Sequence, residues 1–435
     1  MGLEDRMKAE RPYPRVIVSR KAAKMLAGGH PWVFDGEVLR TEPAADGAGI
    51  TNGCVVDLFE ENGTWQGAGL LSQESRIRVR VVSRNANDRI DAAFWERRMR
   101  WAWQHRVSTM GMRALPGTPS DIEACRVVFS EADGIPGLTV DRYGDVLVSQ
   151  VGTFGMQLLR DTMYPLLIGV LEESGAHVRG IFERNDSPTR AKEGLPLEKG
   201  WWQGPGAPEP PADARVTIVE NGLSFALDLE NSQKTGYFLD QKYNRRAVRQ
   251  IAAGRRVLDC FCHVGPFGLN AAAGGAEFVR CVDASQSALD LAAANAQLNG
   301  LEGRMAFSQA DIVEWLPQVA RSRSTQRDLG GPFDLVVLDP PAFTKSRANV
   351  RAASRGYREI NAAALRLLPR GGYLATCSCS HFMTRDLLAE AIAEAAHSAN
   401  VQLRQVEERQ QAPDHPILWG FPESHYLDFF VFQVV

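Results

Sequence analysis

Asp339-Pro340-Pro341-Ala342-Phe343 brings a carboxylate, two prolines and an aromatic ring into one short string. Proline fixes φ and restrains the residue before it, so the string is a stiff loop. It follows Leu335, Val336, Val337 and Leu338, an unbroken apolar run of the kind that makes a strand buried on both faces of a parallel sheet. In such sheets ligands sit at the carboxyl ends of the strands. An acid pinned there, with Phe343 close behind, suits an extruded nucleic-acid base: the acid meets its polar edge and the ring stacks. Past a later strand, Tyr373–Thr376, the string Cys377-Ser378-Cys379-Ser380-His381 offers two thiols. A thiolate adding to C6 of cytosine makes C5 an enamine carbon that can attack a methyl donor. A base then removes the C5 proton to release the enzyme. An acid near N3, for which Asp339 is the candidate, helps the addition. The plain alternatives are an N-capping Asp at a Pro-terminated strand and cysteines acting as small buried hydrophobes. Zinc bound by Cys260, Cys262, Cys377 and Cys379 is disfavoured, because i and i+2 on an extended strand lie about 6.6 Å apart.

The positioning elements are strand–loop–helix units that begin at Val257. Val257–Phe261 reads as a buried strand, and Cys262–Gly268 as a turn into a small-residue helix ending at Gly274-Gly275. The next strand, Phe278–Val282, ends in Asp283. An acid about 20 residues after a Gly-containing first turn is placed to hold a ribose. With Gly265 and Gly268 aligned on the last two glycines of G-x-G-x-x-G, His263 occupies the first position. Loss of that glycine argues against a dinucleotide pyrophosphate and for S-adenosylmethionine, which has none. Asp311, after a strand over Met305–Ala310, is placed to meet the adenine. The ordered set Asp259, Asp283, Asp311 and Asp339 carries more weight than any one acid, since acids at strand ends often cap helices.

The 435 residues allow roughly two to four domains. A net charge of −3 excludes a uniformly basic nucleic-acid binder, so RNA contacts need local patches. Neither a signal peptide nor a membrane span is apparent, and seven cysteines in a long chain favour reduced thiols in the cytoplasm. Residues 1–13 read as a loose polar lead. Strands at Val16–Val18, Cys54–Phe59, Trp65–Leu71 and Arg76–Ser83, with a helix at Arg20–Leu26, predict a small β-barrel. On its last strand Arg76, Arg78 and Arg80 share one face at about 6.6 Å spacing. With Arg15, Arg20, Lys21 and Lys24 they suit either an RNA backbone or a solvated outer face. Asp91–Arg106 is an amphipathic Trp-rich helix, better explained by packing than by RNA. An α/β segment runs from Val127 to Asp186, with two strands expected across Gly134–Gly144. Trp202–Ala214 is Pro/Gly-rich and reads as a linker, and Val216–Leu229 is a hairpin turning at Asn221-Gly222.

At this point the sequence resembles a known family, the bacterial PUA-domain-containing class I SAM-dependent rRNA methyltransferases, related to the large-subunit cytosine-C5 enzymes. The likeness covers nearly the whole chain. It rests on Ser19-Arg20-Lys21 through His30-Pro31-Trp32-Val33-Phe34, on Glu131–Leu138 with Val140-Asp141-Arg142-Tyr143, and on Lys234-Thr235-Gly236-Tyr237-Phe238-Leu239-Asp240-Gln241. The Asp339–Phe343 loop, the Ser378-Cys379-Ser380 segment and Asp414-His415-Pro416 complete it.

The resemblance implies an α/β protein in three parts. These are a PUA-like RNA-binding β-barrel (14–90), a central α/β domain (91–205) and a doubly wound, Rossmann-like methyltransferase domain (213–435) whose last strand, Tyr426–Val434, is antiparallel. It implies S-adenosylmethionine as cofactor, with Tyr237, Gln241, Asp259, Phe261, Gly265, Asp283, Asp311 and Asp339 around it. It implies 23S rRNA, or its large-subunit precursor, as partner, with no membrane, no metal, and monomer or homodimer both open. Base and backbone contacts fall to Pro340, Pro341, Phe343, Arg20, Lys21, Arg76, Arg78 and Arg80. Cys379 matches the nucleophile of the cytosine-C5 members, with Asp339 assisting. Cys377, in a Thr-Cys-Ser string similar to that of another RNA cytosine-C5 family, is the second candidate. His381 stands where cytosine-C5 members have glycine. Relatives with histidine there resemble guanine-N7 enzymes, and the Asp-Pro-Pro loop also resembles that of exocyclic-amine methyltransferases, neither of which needs a thiol. A catalytically inactive RNA-binding assembly factor and an NAD-dependent enzyme are the remaining alternatives.

Overall fold

The structure, a computed structural model, describes residues 11–110, 120–231, 235–344 and 346–435. Most of the loose N-terminal lead and Lys234 of the third motif lie outside the described residues. The chain divides into two compact units. One is Met1–Ile218 with Leu227–Tyr237 and Pro413–Ser424; the other is Val219–Ala226 with Phe238–Ala412 and His425–Val435.

The first unit opens with a six-stranded sheet in the order Trp32–Phe34, Ile77–Ser83, Trp65–Leu71, Val55–Glu60, Arg15–Val18 and Val38–Glu42. Helix Arg20–Ala27 is capped by Ser19, whose Oγ accepts from the Ala22 N–H at 3.3 Å. It buries Ala22, Ala23 and Leu26 against Val16, Val56, Leu58 and Val79. The expected row of three free arginines does not form. Arg80 is buried, with its guanidinium 2.8 Å from Glu193 and 3.6 Å from Glu131. Arg78 donates to Asp35 at 3.0 Å and to the Ser72 carbonyl at 3.1 Å. A register shift between Val33 and Phe34 also interrupts the regular pairing beside them. Burial next to carboxylates has neutralised the charges that a phosphate would need. Arg76, Arg20 and Lys21 are exposed, and Lys21 pairs with Glu37 at 3.3 Å.

A five-stranded sheet follows, in the order Glu198–Trp201, Gly180–Asn185, Val146–Val151, Leu138–Tyr143 and Ala124–Phe129. Gly134–Gly144 holds one strand rather than two. Gly134 ends a 3-10 turn in the left-handed region, and a side chain on Gly137 would collide with Thr153. Helix Ala92–Thr109 buries Phe94, Trp95, Met99 and Trp103, which is the packing role expected of it. The motifs of this unit converge on one buried polar network. Arg106, fully buried, makes paired bonds to Asp133 at 2.6 and 2.8 Å and donates to the Asp414 carbonyl at 2.8 Å. Asp414 in turn accepts from the Arg126 N–H at 3.0 Å, and Arg126 pairs with Asp141 at 2.7 and 2.8 Å. Thr235 donates to Asp141, and the Tyr143 hydroxyl accepts from the Tyr237 N–H at 3.1 Å. The hairpin Arg215–Glu220/Leu223–Asp228 turns at Asn221 and Gly222, both with positive φ, as a two-residue type I′ turn requires.

The second unit carries a seven-stranded sheet. Its strands are β1 (Arg256–Cys260), β2 (Phe278–Asp283), β3 (Met305–Gln309), β4 (Leu335–Leu338), β5 (Tyr373–Ser378), β6 (Leu403–Gln410) and β7 (Asp428–Val434), in the order β3-β2-β1-β4-β5-β7-β6. β1 to β5 are parallel and β7 runs antiparallel to both its neighbours. The helices include α1 (Lys242–Gln250), α2 (Pro266–Ala273), α3 (Gln286–Leu298), α4 (Ile312–Arg321), α5 (Val350–Leu367) and α6 (Arg385–Ala399). β4 is buried at every position, as its apolar run demands. Among the described residues no helix is long and apolar enough to cross a membrane.

Removing Asp133 leaves the Arg106 guanidinium buried beside carbonyls alone. Asp133→Ala is therefore expected to cost about 3–5 kcal/mol, read as a lower urea midpoint. A change within about 0.5 kcal/mol would show that the network contributes little.

Candidate active site

The site is built where β1, β2, β4 and β5 end. Register aligns Cys260 with Leu338 and Leu338 with Thr376, so Phe261, Asp339 and Cys377 lie side by side one residue further on. Asp339 is the junction. Its Oδ1 accepts from the Gln241 amide at 3.0 Å and from the Cys377 thiol at 3.0 Å. Gln241 Nε2 also lies 3.2 Å from Cys377 Sγ, and its Oε1 accepts from Asn244 at 2.6 Å. Burial pushes the Asp339 pKa up, while the Cys377 thiol, Arg245 and Gln241 pull it down. Burial also drives the Cys377 pKa well above the usual thiol value, and neighbouring Asp339 raises it further. Cys377 is thus a buried, protonated thiol serving as a hydrogen-bond donor.

Cys379 has different surroundings. It is half-buried, and its Sγ lies 3.8 Å from the Pro340 carbonyl oxygen. The serines on either side pin it: Ser378 donates to the Tyr357 hydroxyl at 2.9 Å and Ser380 to the Thr344 carbonyl at 2.9 Å. Phe343 rests on Tyr357, ring centroids 4.7 Å apart, and on Gly356, where a side chain would meet the ring at 3.1 Å. The Asp-Pro-Pro loop, the Ser-Cys-Ser segment and α5 therefore hold one another. Pro340 is buried and Pro341 exposed. His381 Nδ1 lies 3.4 Å from the His425 carbonyl oxygen.

The turn after β1 is compressed. Phe261, His263 and Gly265 all have positive φ, at 63°, 50° and 83°. A histidine thus takes the left-handed turn that a glycine would take in a dinucleotide site. Its N–H donates to Asp283 Oδ2 at 2.9 Å, and Asp283 Oδ1 accepts from Ser285 N–H at 2.9 Å. Asp259 is fully buried and its Oδ2 accepts from Gly268 N–H at 2.7 Å. Burial holds the Asp259 pKa well above the ordinary range, and the charges of Asp339 and Asp283 add to it. Among the described residues, Asp259 Oδ1 and His263 Nδ1 are buried without a hydrogen-bond partner. Unsatisfied buried polar atoms call for a ligand or water, and these fit the hydroxyl, amino and ammonium hydrogens of an adenosyl group with an amino-acid tail. Asp311 is exposed and caps α4, accepting from Val313 N–H at 3.0 Å. Tyr237 belongs to the first unit, buried with Tyr143. Tyr357 and Thr344 were missed by sequence reasoning, and no local signal marks either, since each acts across the fold. All seven cysteines are free thiols. No group of three or more His, Cys, Asp or Glu among the described residues is arranged to hold a metal.

This sheet order with a ligand cradle after β1 and β2 defines the class I methyltransferases. A family model described as an S-adenosylmethionine-dependent methyltransferase matches residues 208–420, and one described as a PUA-like domain matches residues 16–84. A protein of Klebsiella pneumoniae named Ribosomal RNA large subunit methyltransferase I is 37% identical over 97% of this chain and 99% of its own length. One of the same name from Shewanella amazonensis is 39% identical over 97% and 99%. Among solved structures, a candidate methyltransferase complexed with SAH has a TM-score of 0.77 at 20% identity, covering 97% of this chain and 100% of that one. The likeness to it is one of fold. The chain belongs to the PUA-domain-containing, S-adenosylmethionine-dependent rRNA methyltransferases.

Burial pushes the His263 imidazole down to about 4, although Asp283 pulls the other way. The unfolded chain takes up this proton near 6.5 and the native one only near 4. Between those values the unfolded state binds more protons, so the native state loses stability as pH falls, by up to about 1.4 kcal/mol per pH unit. The His263 ring resonances are expected to show the neutral form at pH 5.5, and His263→Gln to remove this share of the acid sensitivity. A His263 midpoint between pH 6 and 7 would contradict the assignment.

Proposed function

We propose that the enzyme methylates cytosine C5 in 23S rRNA through a covalent adduct on Cys379. The carrying observation is the Cys379 thiol held 3.8 Å from the Pro340 carbonyl oxygen, in a segment fixed at both ends. The names of the relatives support a large-subunit rRNA substrate. S-adenosylmethionine supplies an electrophilic methyl group. On this reading Asp283 holds its ribose, Asp311 faces the adenine with the carboxylate oxygen not used in capping, and Gly265 and Phe261 shape the turn beneath it. Asp259, Gln241 and Asp339 complete its surroundings.

Pro340, Pro341 and Phe343 receive the flipped base. Cys379 loses its proton to water and its sulfur bonds to C6 as the C5–C6 double bond opens, while Asp339 gives a proton to N3 as the ring accepts the electron pair. The raised Asp339 pKa favours that donor role. C5 then takes the methyl group as the bond between the methyl carbon and the donor's sulfonium sulfur breaks, leaving a neutral thioether. Loss of the C5 proton to a base returns an electron pair that expels the Cys379 thiolate, and N3 gives its proton back. Cys377 is the weaker nucleophile, because its thiol hydrogen is held by Asp339. The reading extends to a cytoplasmic enzyme whose three domains span 14–90, 91–205 and 213–435.

Cys379→Ala is expected to abolish transfer of tritiated methyl to unmodified large-subunit rRNA while calorimetric affinity for S-adenosylhomocysteine is retained. Mass spectrometry of the digested product is expected to show 5-methylcytidine. A half-buried histidine at position 381 favours guanine N7 as the second reading. Full turnover by Cys379→Ala, with 7-methylguanosine as product, would sink the thiol mechanism and establish that one.

A further inference from the structure

Between Asp339 and Glu359 the chain has no Asp or Glu, although the whole protein is slightly acidic. Within that stretch Arg347 opens a 3-10 turn, Arg347–Asn349, that leads into α5, and Arg351 and Arg355 follow at i and i+4 along the start of α5. All three are exposed, and among the described residues none meets a carboxylate. That contrasts with Arg358 further along α5, which pairs with Glu394 at 3.3 Å. Arg351 and Arg355 project from one face of the helix, separated by about 6 Å of axial rise, which is comparable with the phosphate repeat of an extended RNA strand. The row is also fixed to the site. Arg355 precedes Gly356 and Tyr357, the two residues on which Phe343 rests. Exposed and without a carboxylate partner among the described residues, the three arginines repel one another unless an anion lies over them.

We propose that Arg347, Arg351 and Arg355 bind the phosphates of the RNA strand next to the base that enters the site. This rests on the rRNA methyltransferase reading above, and it goes beyond it by placing a backbone clamp on the catalytic unit itself. Phosphate contacts set register and orientation rather than sequence. A clamp on the helix that carries the Phe343 seat thus fixes which nucleotide reaches Asp339.

The test is equilibrium binding of a large-subunit rRNA fragment at several KCl concentrations by the full-length protein and its Arg347→Gln/Arg351→Gln/Arg355→Gln variant. Each contact to a single strand contributes about 0.7 to the slope of log K against log salt, so three lost contacts should lower its magnitude by about 2. At saturating RNA the variant is expected to keep its kcat with KM raised at least tenfold, with S-adenosylhomocysteine affinity and thermal midpoint unchanged. The Arg→Lys triple variant should keep most of the slope. A variant slope and KM equal to those of the wild type would overturn the proposal. If the wild type methylates no rRNA, the functional reading fails, while the salt slopes still judge the arginines.

Discussion

One carboxylate oxygen holds the catalytic end of this sheet together. Asp339 Oδ1 takes a hydrogen from Gln241, in the turn before α1, and another from Cys377, at the end of β5. Asp339 itself ends β4, whose backbone is held by two prolines and by α5 through Phe343. Three distant stretches thereby share one buried acceptor. A buried acid costs free energy unless it is satisfied, and here the satisfaction links the loop before the sheet, its central strand and its next neighbour. Moving any one of them leaves a desolvated carboxylate with an unmet lone pair, so the loop geometry is over-determined.

The two thiols illustrate how position within two residues changes chemistry. Cys377 still belongs to β5 and points into the interior, where burial keeps its proton on sulfur. Cys379 lies beyond the strand, where the chain has turned toward the Asp-Pro-Pro loop and the bonds of Ser378 and Ser380 replace the ladder. A buried thiol bonded to Asp339 and a half-buried thiol beside the Pro340 carbonyl thus occupy one short segment. The buried one also donates to Asp339, the acid on which the strand ends converge.

The strands of the second unit were legible because buried parallel strands are written as continuous apolar runs. Leu335–Leu338 needed nothing else, and Asp339 stood out after it by contrast, whereas Val257–Cys260 carries its acid, Asp259, inside the run. Strand β6 was not legible, since Leu403–Gln410 is mostly polar and exposed at the sheet edge, and pairs only with β7. The arginine row of the first unit misled for a related reason. Alternation in Ile77–Ser83 reported which face each residue takes, yet only the fold brings Glu193 and Glu131 to Arg80. The turn at His263 was half legible. Its lack of the first glycine was visible, whereas the left-handed conformation it adopts anyway is enforced by Asp283 from the next strand.

The same acids that order the strand tips also repel. Asp259 is raised first by its own burial and then by the charges of Asp339 and Asp283, so negative charge on any one of these acids is opposed by the others. On the reading proposed above, the methyl donor brings a sulfonium cation into that field, and a cation among desolvated acids is held more strongly than in solvent. After transfer the bound molecule is a neutral thioether, and the repulsion between the acids returns. The arrangement therefore favours the loaded donor over the spent one by charge alone, with no contact to the methyl group required.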